Sequence, residues 1–188
     1  MGHNPDREPP FFFSKPADAV TDDGATLPYP PQTDNLHHEA ELVVAIGLGG
    51  ADISPETALK HVWGYGVGND LTRRDMQAAA KEMRRPWDLA KGFDNSAICG
   101  PLHPVSKIGH ITHGSITAHV EGALRQKGDI SEMIWPVADV ISFLSHSVTL
   151  AAGDLIYTGT PAGVGKIRRG ESCTIAINGL GQITTTYK

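Results

Sequence analysis

The sequence predicts an α+β domain, mostly β. Three observations lead there. Segments with strand character outnumber helical ones and do not alternate with them regularly, which argues against a doubly wound parallel sheet. The 188 residues are 40% hydrophobic and 20% charged, enough for one hydrophobic core. No repeat, heptad or low-complexity tract interrupts the chain.

Residues 1–35 are rich in proline and lack helical periodicity, so an extended opening segment is expected before a main domain over residues 36–188. A short strand is expected at Phe11-Phe12-Phe13, with at least one ring buried or lining a pocket. Leu36 to Gly47 reads as a strand ending in a valine- and isoleucine-rich run. Side chains two apart share a face, so Glu39 and Glu41 point together and Leu42, Val44 and Ile46 face the core. His37 would share the face of Glu39. Ser54-Pro55 opens a helix running to about His61. Gly64 to Asp70 suits a buried strand with close backbone approach. Thr72, with Asp75 three residues on, resembles a capping box, giving a helix that carries Arg74 and Gln77 on one side. Residues 86–94 read as a loop. Ile116 to Gln126 reads as a hairpin turning at Gly122, and Pro136 opens a helix with Val137, Val140, Ile141, Leu144 and Val148 at helical spacing. Leu155 to Thr158, Ser172 to Ile177 and Gln182 to Tyr187 close the chain as strands.

Composition narrows the partners. The net charge of −5, with no basic cluster denser than Arg84-Arg85 or Arg168-Arg169, argues against nucleic acid. No apolar run approaches a membrane span, and residues 1–6 are too polar for a signal peptide. Cys99 and Cys173 sit in no disulfide or zinc pattern, so free thiols in the cytoplasm are expected.

Two carboxylates on one strand face repel each other, by roughly 2 kcal/mol at about 7 Å and an effective dielectric near 20. A shared divalent cation would reverse that sign. Asp70 could supply a third carboxylate, and an oxygen-only donor set favours Mg²⁺, Mn²⁺ or Ca²⁺. By spacing alone, a solvated edge strand is the better reading, since Glu-x-Glu is a common triplet. Lys91, Arg74, Gln77 and Thr160 each have an ordinary reading too, as surface, helix or turn residues. Arg73 reads as exposed, and Asp75 as a helix cap.

Four motifs in order decide the matter. They are Glu39-x-Glu41-Leu-x-x-x-Ile46-Gly47; Asp70-x-x-x-Arg74-Asp75-x-Gln77; Ala90-Lys91-Gly92-Phe93-Asp94; and Gly153-Asp154-x-Ile156-x-Thr158-Gly159-Thr160-Pro161-x-Gly163-Val164-Gly165. The pattern resembles the fumarylacetoacetate hydrolase superfamily, in its acylpyruvate-cleaving branch. The runs Pro9 to Pro16, Tyr29-Pro30-Pro31 and His37-His38-Glu39 extend the likeness. The resemblance implies a fold of layered sheets around a metal pocket, and a homodimer. It implies Mg²⁺ or Mn²⁺ on Glu39, Glu41 and Asp70, with Arg74, Gln77, Lys91 and Thr160 binding substrate. Lys91 would stabilise developing negative charge. The implied reaction is hydrolytic cleavage of a carbon–carbon bond in a 2,4-dioxo acid, fumarylpyruvate first, giving fumarate and pyruvate. Decarboxylation or tautomerisation of a 2-oxo acid are the alternatives within the family, and a non-catalytic homologue the alternative outside it.

The resembling family also carries a histidine, and a glutamate three residues later, on a lid just before the proline-rich stretch. That pair activates the attacking water. Here His3 is followed by Asp6 at that distance. The expectation is either a longer protein in which Met1 is internal or a short, crippled chain, and in both cases these 188 residues should bind Mg²⁺ or Mn²⁺ but hydrolyse acylpyruvates slowly. Without the lid, Phe11 to Phe13 should be exposed.

Overall fold

A computed structural model describes residues 8–188, so His3 and Asp6 lie outside the described residues. In chain order the strands are β1 (Val20–Asp22), β2 (Thr26–Leu27), β3 (Leu36–His38), β4 (Ala40–Ile46), β5 (Val62–Asp70), β6 (Thr72–Arg73) and β7 (Ala97–Cys99). They continue as β8 (His103–Pro104), β9 (Ser115–Val120), β10 (Ala123–Asp129), β11 (Leu155–Tyr157), β12 (Gly165–Ile167), β13 (Ser172–Ile177) and β14 (Gly181–Tyr187). The helices are short: α1 (Pro55–Ala58), α2 (Arg74–Glu82), α3 (Asp88–Lys91), α4 (Val105–Ile108) and α5 (Val137–Ser145). No helix among the described residues is long and apolar enough to cross a membrane.

The α+β expectation holds. One sheet has the order β1-β7-β5-β4-β11, with β8 also on β5. A second runs β10-β9-β13-β14-β2, and a small third runs β12-β3-β6. Leu42, Val44 and Ile46 enter the main core with Tyr65, Ile98, Ile141, Ile175 and Ile183, as alternation along β4 requires. Val43 and Ala45 on the other face are buried as well, outside that cluster. Gly68 explains how: a Cβ there would lie 2.4 Å from Val43 and 2.6 Å from the Tyr157 ring, so only glycine lets β4, β5 and β11 close up.

Several local expectations are corrected. The opening segment is not merely extended. It forms β1, parallel to β7, and β2, parallel to β14, across the expected boundary at residue 36. Phe11 to Phe13 form no strand, and all three rings are exposed, though they line a cavity. Thr72 does not open a helix. It lies in β6, its hydroxyl donating to the Asp70 carbonyl, and α2 begins at Arg74. Asp75 is therefore not a cap. It sits in the first turn and accepts from Thr33 Oγ1 and the amides of Asp34 and Met76, fastening the preceding loop to the helix. Arg73 is buried, its guanidinium 4.3 Å from the Phe93 ring centre and 3.2 Å from the Leu89 carbonyl. Within residues 86–94 the chain makes a single helical turn, α3, where a plain loop was expected. Helix α5 stops at Ser145, and Val148 beyond it is exposed.

Candidate metal centre

The site is built where β4 and β5 lie antiparallel, with Ala40 opposite Asn69 and Glu41 opposite Gly68. The strand expected to run unbroken from Leu36 is interrupted at Glu39, between β3 and β4. The Glu39 amide has no backbone acceptor there among the described residues, and the Asn69 side-chain oxygen supplies one, accepting at 3.0 Å. The Glu39 carbonyl in turn accepts from the Asp70 amide at 3.0 Å. These bonds fix Glu39, Glu41 and Asp70 around one point. All three are buried, and one carboxylate oxygen of each lies within 4.8 Å of the others.

Three cations surround the three acids. Lys91 Nζ is 2.7 Å from Glu39 Oε2 and 2.6 Å from Asp70 Oδ2. Arg74 donates to Glu39 Oε1 and, at 2.7 Å, to Gln77 Oε1. Lys15 lies 2.8 Å from Asp70 Oδ1 and holds the carbonyls of Leu71 and Ser96 at 3.1 and 3.0 Å. The cluster is thus neutral in formal charge, but unevenly served. Burial pushes Glu39 up, yet the ammonium of Lys91 and the guanidinium of Arg74 outweigh it and hold this carboxyl below its usual range. Glu41 receives only the Gly159 amide, at 2.7 Å. Burial, with Asp70 and Glu39 beside it, pushes Glu41 well above the ordinary carboxylate range. Asp70 is also pushed up by burial, despite Lys15 and Lys91, and its Oδ1 has no aligned hydrogen-bond donor. Burial lowers Lys91, but Asp70 and Glu39 more than restore its charge. A buried carboxylate such as Glu41, served by one amide and set beside two other acids, is what an oxygen-binding divalent cation satisfies, so the residues fit Mg²⁺ or Mn²⁺.

The remaining expected residues fall close by. Gln77 is buried under Arg74. His37 accepts from Arg74 Nε at 3.3 Å, and burial together with Arg74 lowers its pKa to about 4, leaving it a neutral buttress of the arginine. Thr160 follows Gly159, so it borders Glu41. In the glycine loop from Gly159 to Gly165, Gly163 has φ +99°, and a Cβ there would lie 2.3 Å from the Arg125 carbonyl, so the loop is pressed against β10.

Two functional residues were not read from the sequence. Lys15 reaches Asp70 from far along the chain. Gln126, fully buried on β10, donates to Thr160 Oγ1 at 2.7 Å and to the Pro161 carbonyl at 2.8 Å. Its Oε1 accepts from the Ala40 amide at 3.1 Å and contacts His38 Nδ1 at 2.8 Å. The two backbone partners fix the orientation of the amide, so His38 carries its proton on Nδ1. Thr160 therefore accepts from Gln126 and keeps its own hydroxyl hydrogen to donate. Lys15 belongs to a phenylalanine–proline run quoted only for its resemblance, and Gln126 to a hairpin strand; neither carries a local signal.

Comparison with known proteins agrees with this architecture. Residues 2–188 match the family model described as fumarylacetoacetate hydrolase C-terminal. A fumarylpyruvate hydrolase from Ralstonia sp. is 38% identical over 188 residues, 99% of this chain and 97% of that protein. A mitochondrial oxaloacetate tautomerase from Arabidopsis thaliana is 37% identical over 174 residues, 93% of this chain and 78% of that one. The crystal structure of a fumarylpyruvate hydrolase from Pseudomonas aeruginosa with Mn²⁺ and pyruvate superposes with a TM-score of 0.95 at 53% identity, covering 100% of this chain and 82% of that one.

Proposed function

The chain belongs to the fumarylacetoacetate hydrolase family, and from that premise we propose that it is a divalent-metal hydrolase of acylpyruvates, with fumarylpyruvate the preferred substrate. The observation that carries the proposal is the buried triad of Glu39, Glu41 and Asp70 with Lys91 and Arg74 upon it. The crystal structure of a Mn²⁺- and pyruvate-bound fumarylpyruvate hydrolase with this fold supports it.

Glu39, Glu41 and Asp70 would hold Mg²⁺ or Mn²⁺, which when bound supplies Lewis-acid stabilisation of negative charge on the pyruvoyl oxygens. The rest falls to the chain's own groups. Lys91, kept protonated by its two carboxylates, offers a desolvated ammonium to charge developing on the enolate. Arg74 is held in place by Glu39, Gln77 and His37, and keeps a rigid cationic wall beside the substrate carboxylate. Thr160 donates its free hydroxyl hydrogen to a substrate oxygen. Water adds its oxygen to the distal carbonyl carbon, and the bond to the methylene carbon breaks. Its electron pair stays with the pyruvate enolate, which takes up one proton, so one water is consumed and fumarate and pyruvate are formed.

A second reading, oxaloacetate tautomerisation, is favoured by the relative of that activity at 37% identity. It would use the same enolate stabilisation without carbon–carbon cleavage. A panel of fumarylpyruvate, acetylpyruvate and oxaloacetate, with and without Mg²⁺, separates the two. Metal-dependent release of fumarate and pyruvate is expected. Turnover of oxaloacetate alone would overturn the hydrolase reading. Glu39→Gln and Asp70→Asn should each lose most Mn²⁺ binding by calorimetry, because each removes a charged ligand. Unchanged affinity in both would show the site to be misplaced.

A further inference from the structure

A cavity of about 480 Å³ opens beside the carboxylate cluster, lined by Phe11 to Ser14, Arg85 to Asp88, and Lys91. Lys91 joins the two spaces, since the same ammonium that bridges Glu39 and Asp70 lies 4.7 Å from the Phe13 ring centre. A ligand held at the triad by one end therefore has room to extend over Lys91. The walls are aromatic. Trp87 meets Phe11 edge-on at 5.5 Å and Phe13 at 6.2 Å, a surface suited to a flat, unsaturated arm.

The charges in this cavity are Arg85, Asp88 and Lys91. Lys91 is committed to two carboxylates, whereas none of the ion pairs among the described residues involves Arg85. Asp88 alone would repel an acid, and Arg85 offsets it. The backbone of Arg85 is fixed. Helix α2 ends in a Schellman turn, with the Arg85 amide bonded to the Ala80 carbonyl and the Arg84 amide to the Lys81 carbonyl. Arg84 takes the left-handed position, φ +54°, and Pro86 restricts Arg85 to extended backbone. Helix α2 and the turn that closes it thus carry Arg74 at the triad and Arg85 at the cavity.

We propose that Arg85 anchors a terminal carboxylate on the acyl arm, so that the site selects acylpyruvates that are dicarboxylates. This rests on the hydrolase reading and supplies its substrate class. Arg74 and Lys91 are already engaged at the triad. Formal charge is consistent with the proposal. The three acids and Lys15, Arg74 and Lys91 sum to zero, so a divalent cation leaves two positive charges, which a dianionic substrate balances.

The test uses the full chain loaded with Mn²⁺ and two probes of the length of fumarylpyruvate, 2-oxoheptanedioate and 2-oxoheptanoate, which differ only in the terminal carboxylate. Calorimetry should show the wild type binding the dicarboxylate roughly tenfold or more tighter, the scale of one charge-assisted hydrogen bond. Arg85→Leu should erase that preference and Arg85→Lys should keep part of it. Arg85→Gln serves if the leucine variant is unstable. Equal binding of the two probes by wild type, or a preference that survives both Arg85→Leu and Arg85→Gln, overturns the anchor. Turnover is read separately. A preserved probe preference without fumarylpyruvate hydrolysis would overturn the hydrolase reading and leave the anchor standing.

Discussion

At Lys91 a single buried ammonium holds two of the three acids, 2.7 Å from Glu39 and 2.6 Å from Asp70. Lys91→Ala should lower turnover by roughly 10²-fold or more, the usual scale for losing a preorganised charge-stabilising donor. Mn²⁺ binding measured by calorimetry should persist and even tighten, because a competing cation leaves the same oxygens. Unchanged turnover would reduce Lys91 to a purely electrostatic support. Gln126 allows a sharper test. In Gln126→Glu the group facing Thr160 can no longer donate, so the Thr160 hydroxyl turns to give its hydrogen to the new carboxylate. Turnover should fall roughly tenfold, about the contribution of one hydrogen bond. In a Thr160→Val background the same change should cost nothing more, and additive losses in the cycle would sink the assignment. These two residues also mark what the sequence reveals at this scale. Glu39, Glu41, Asp70, Arg74, Gln77 and Lys91 are legible because each lies in a motif of fixed spacing. Gln126 and Lys15 are not, because their partners lie 86 residues away at Ala40 and 56 away at Leu71. Contacts at that separation leave no periodic trace.

At the level of elements, strands were legible where the sequence is β-branched, glycine-rich or alternating, as in β4, β5, β9, β13 and β14. So were the starts of α1 and α5, where proline fixes the entering backbone. What stayed hidden was short or set by distant partners. Strands β1 and β2 have three and two residues and exist because β7 and β14 offer open edges. Helix α3 is one turn, too short for any period to register. The break at Glu39 depends on Asn69 on the neighbouring strand. The glycine loop shows how a motif can be legible while its reason is not. From the residues alone the loop reads as a turn, while Gly163 is required by the Arg125 carbonyl on β10. Gly163→Ala combines a left-handed backbone with a clash against main chain, and should destabilise by roughly 2 kcal/mol or more. Urea unfolding reads this directly, and a loss below the error of the method would mean that the loop moves freely away from β10.

For the whole molecule, the three sheets meet where a triad of like charges must be kept out of water. Sheet pairing brings Glu41 and Asp70 together on adjacent strands, and Glu39, just before β4, lies beside them. Lys15 ties the opening segment to Asp70, so the lead-in residues and the central sheet share one electrostatic knot. Without a cation this knot opposes folding, because Glu41 is buried with no positive partner and is pushed toward its neutral form. A divalent ion at the assembled triad would have no equivalent site in the unfolded chain, where the three acids are spread over more than thirty positions. Mass action then stabilises the whole fold, by about 2.7 kcal/mol when free metal stands a hundredfold above its dissociation constant. For a chain of this size that corresponds to a rise in melting temperature of about 5–10 °C. Calorimetric scans with and without Mn²⁺ or Mg²⁺ should show this rise, and Asp70→Asn should largely abolish it. The triad is what distinguishes this from general salt stabilisation: monovalent salt at equal ionic strength should give little of the shift, since it screens the exposed charges without replacing the missing partner of Glu41. A melting temperature indifferent to millimolar divalent metal would mean that the three carboxylates are held by Lys15, Arg74 and Lys91 alone.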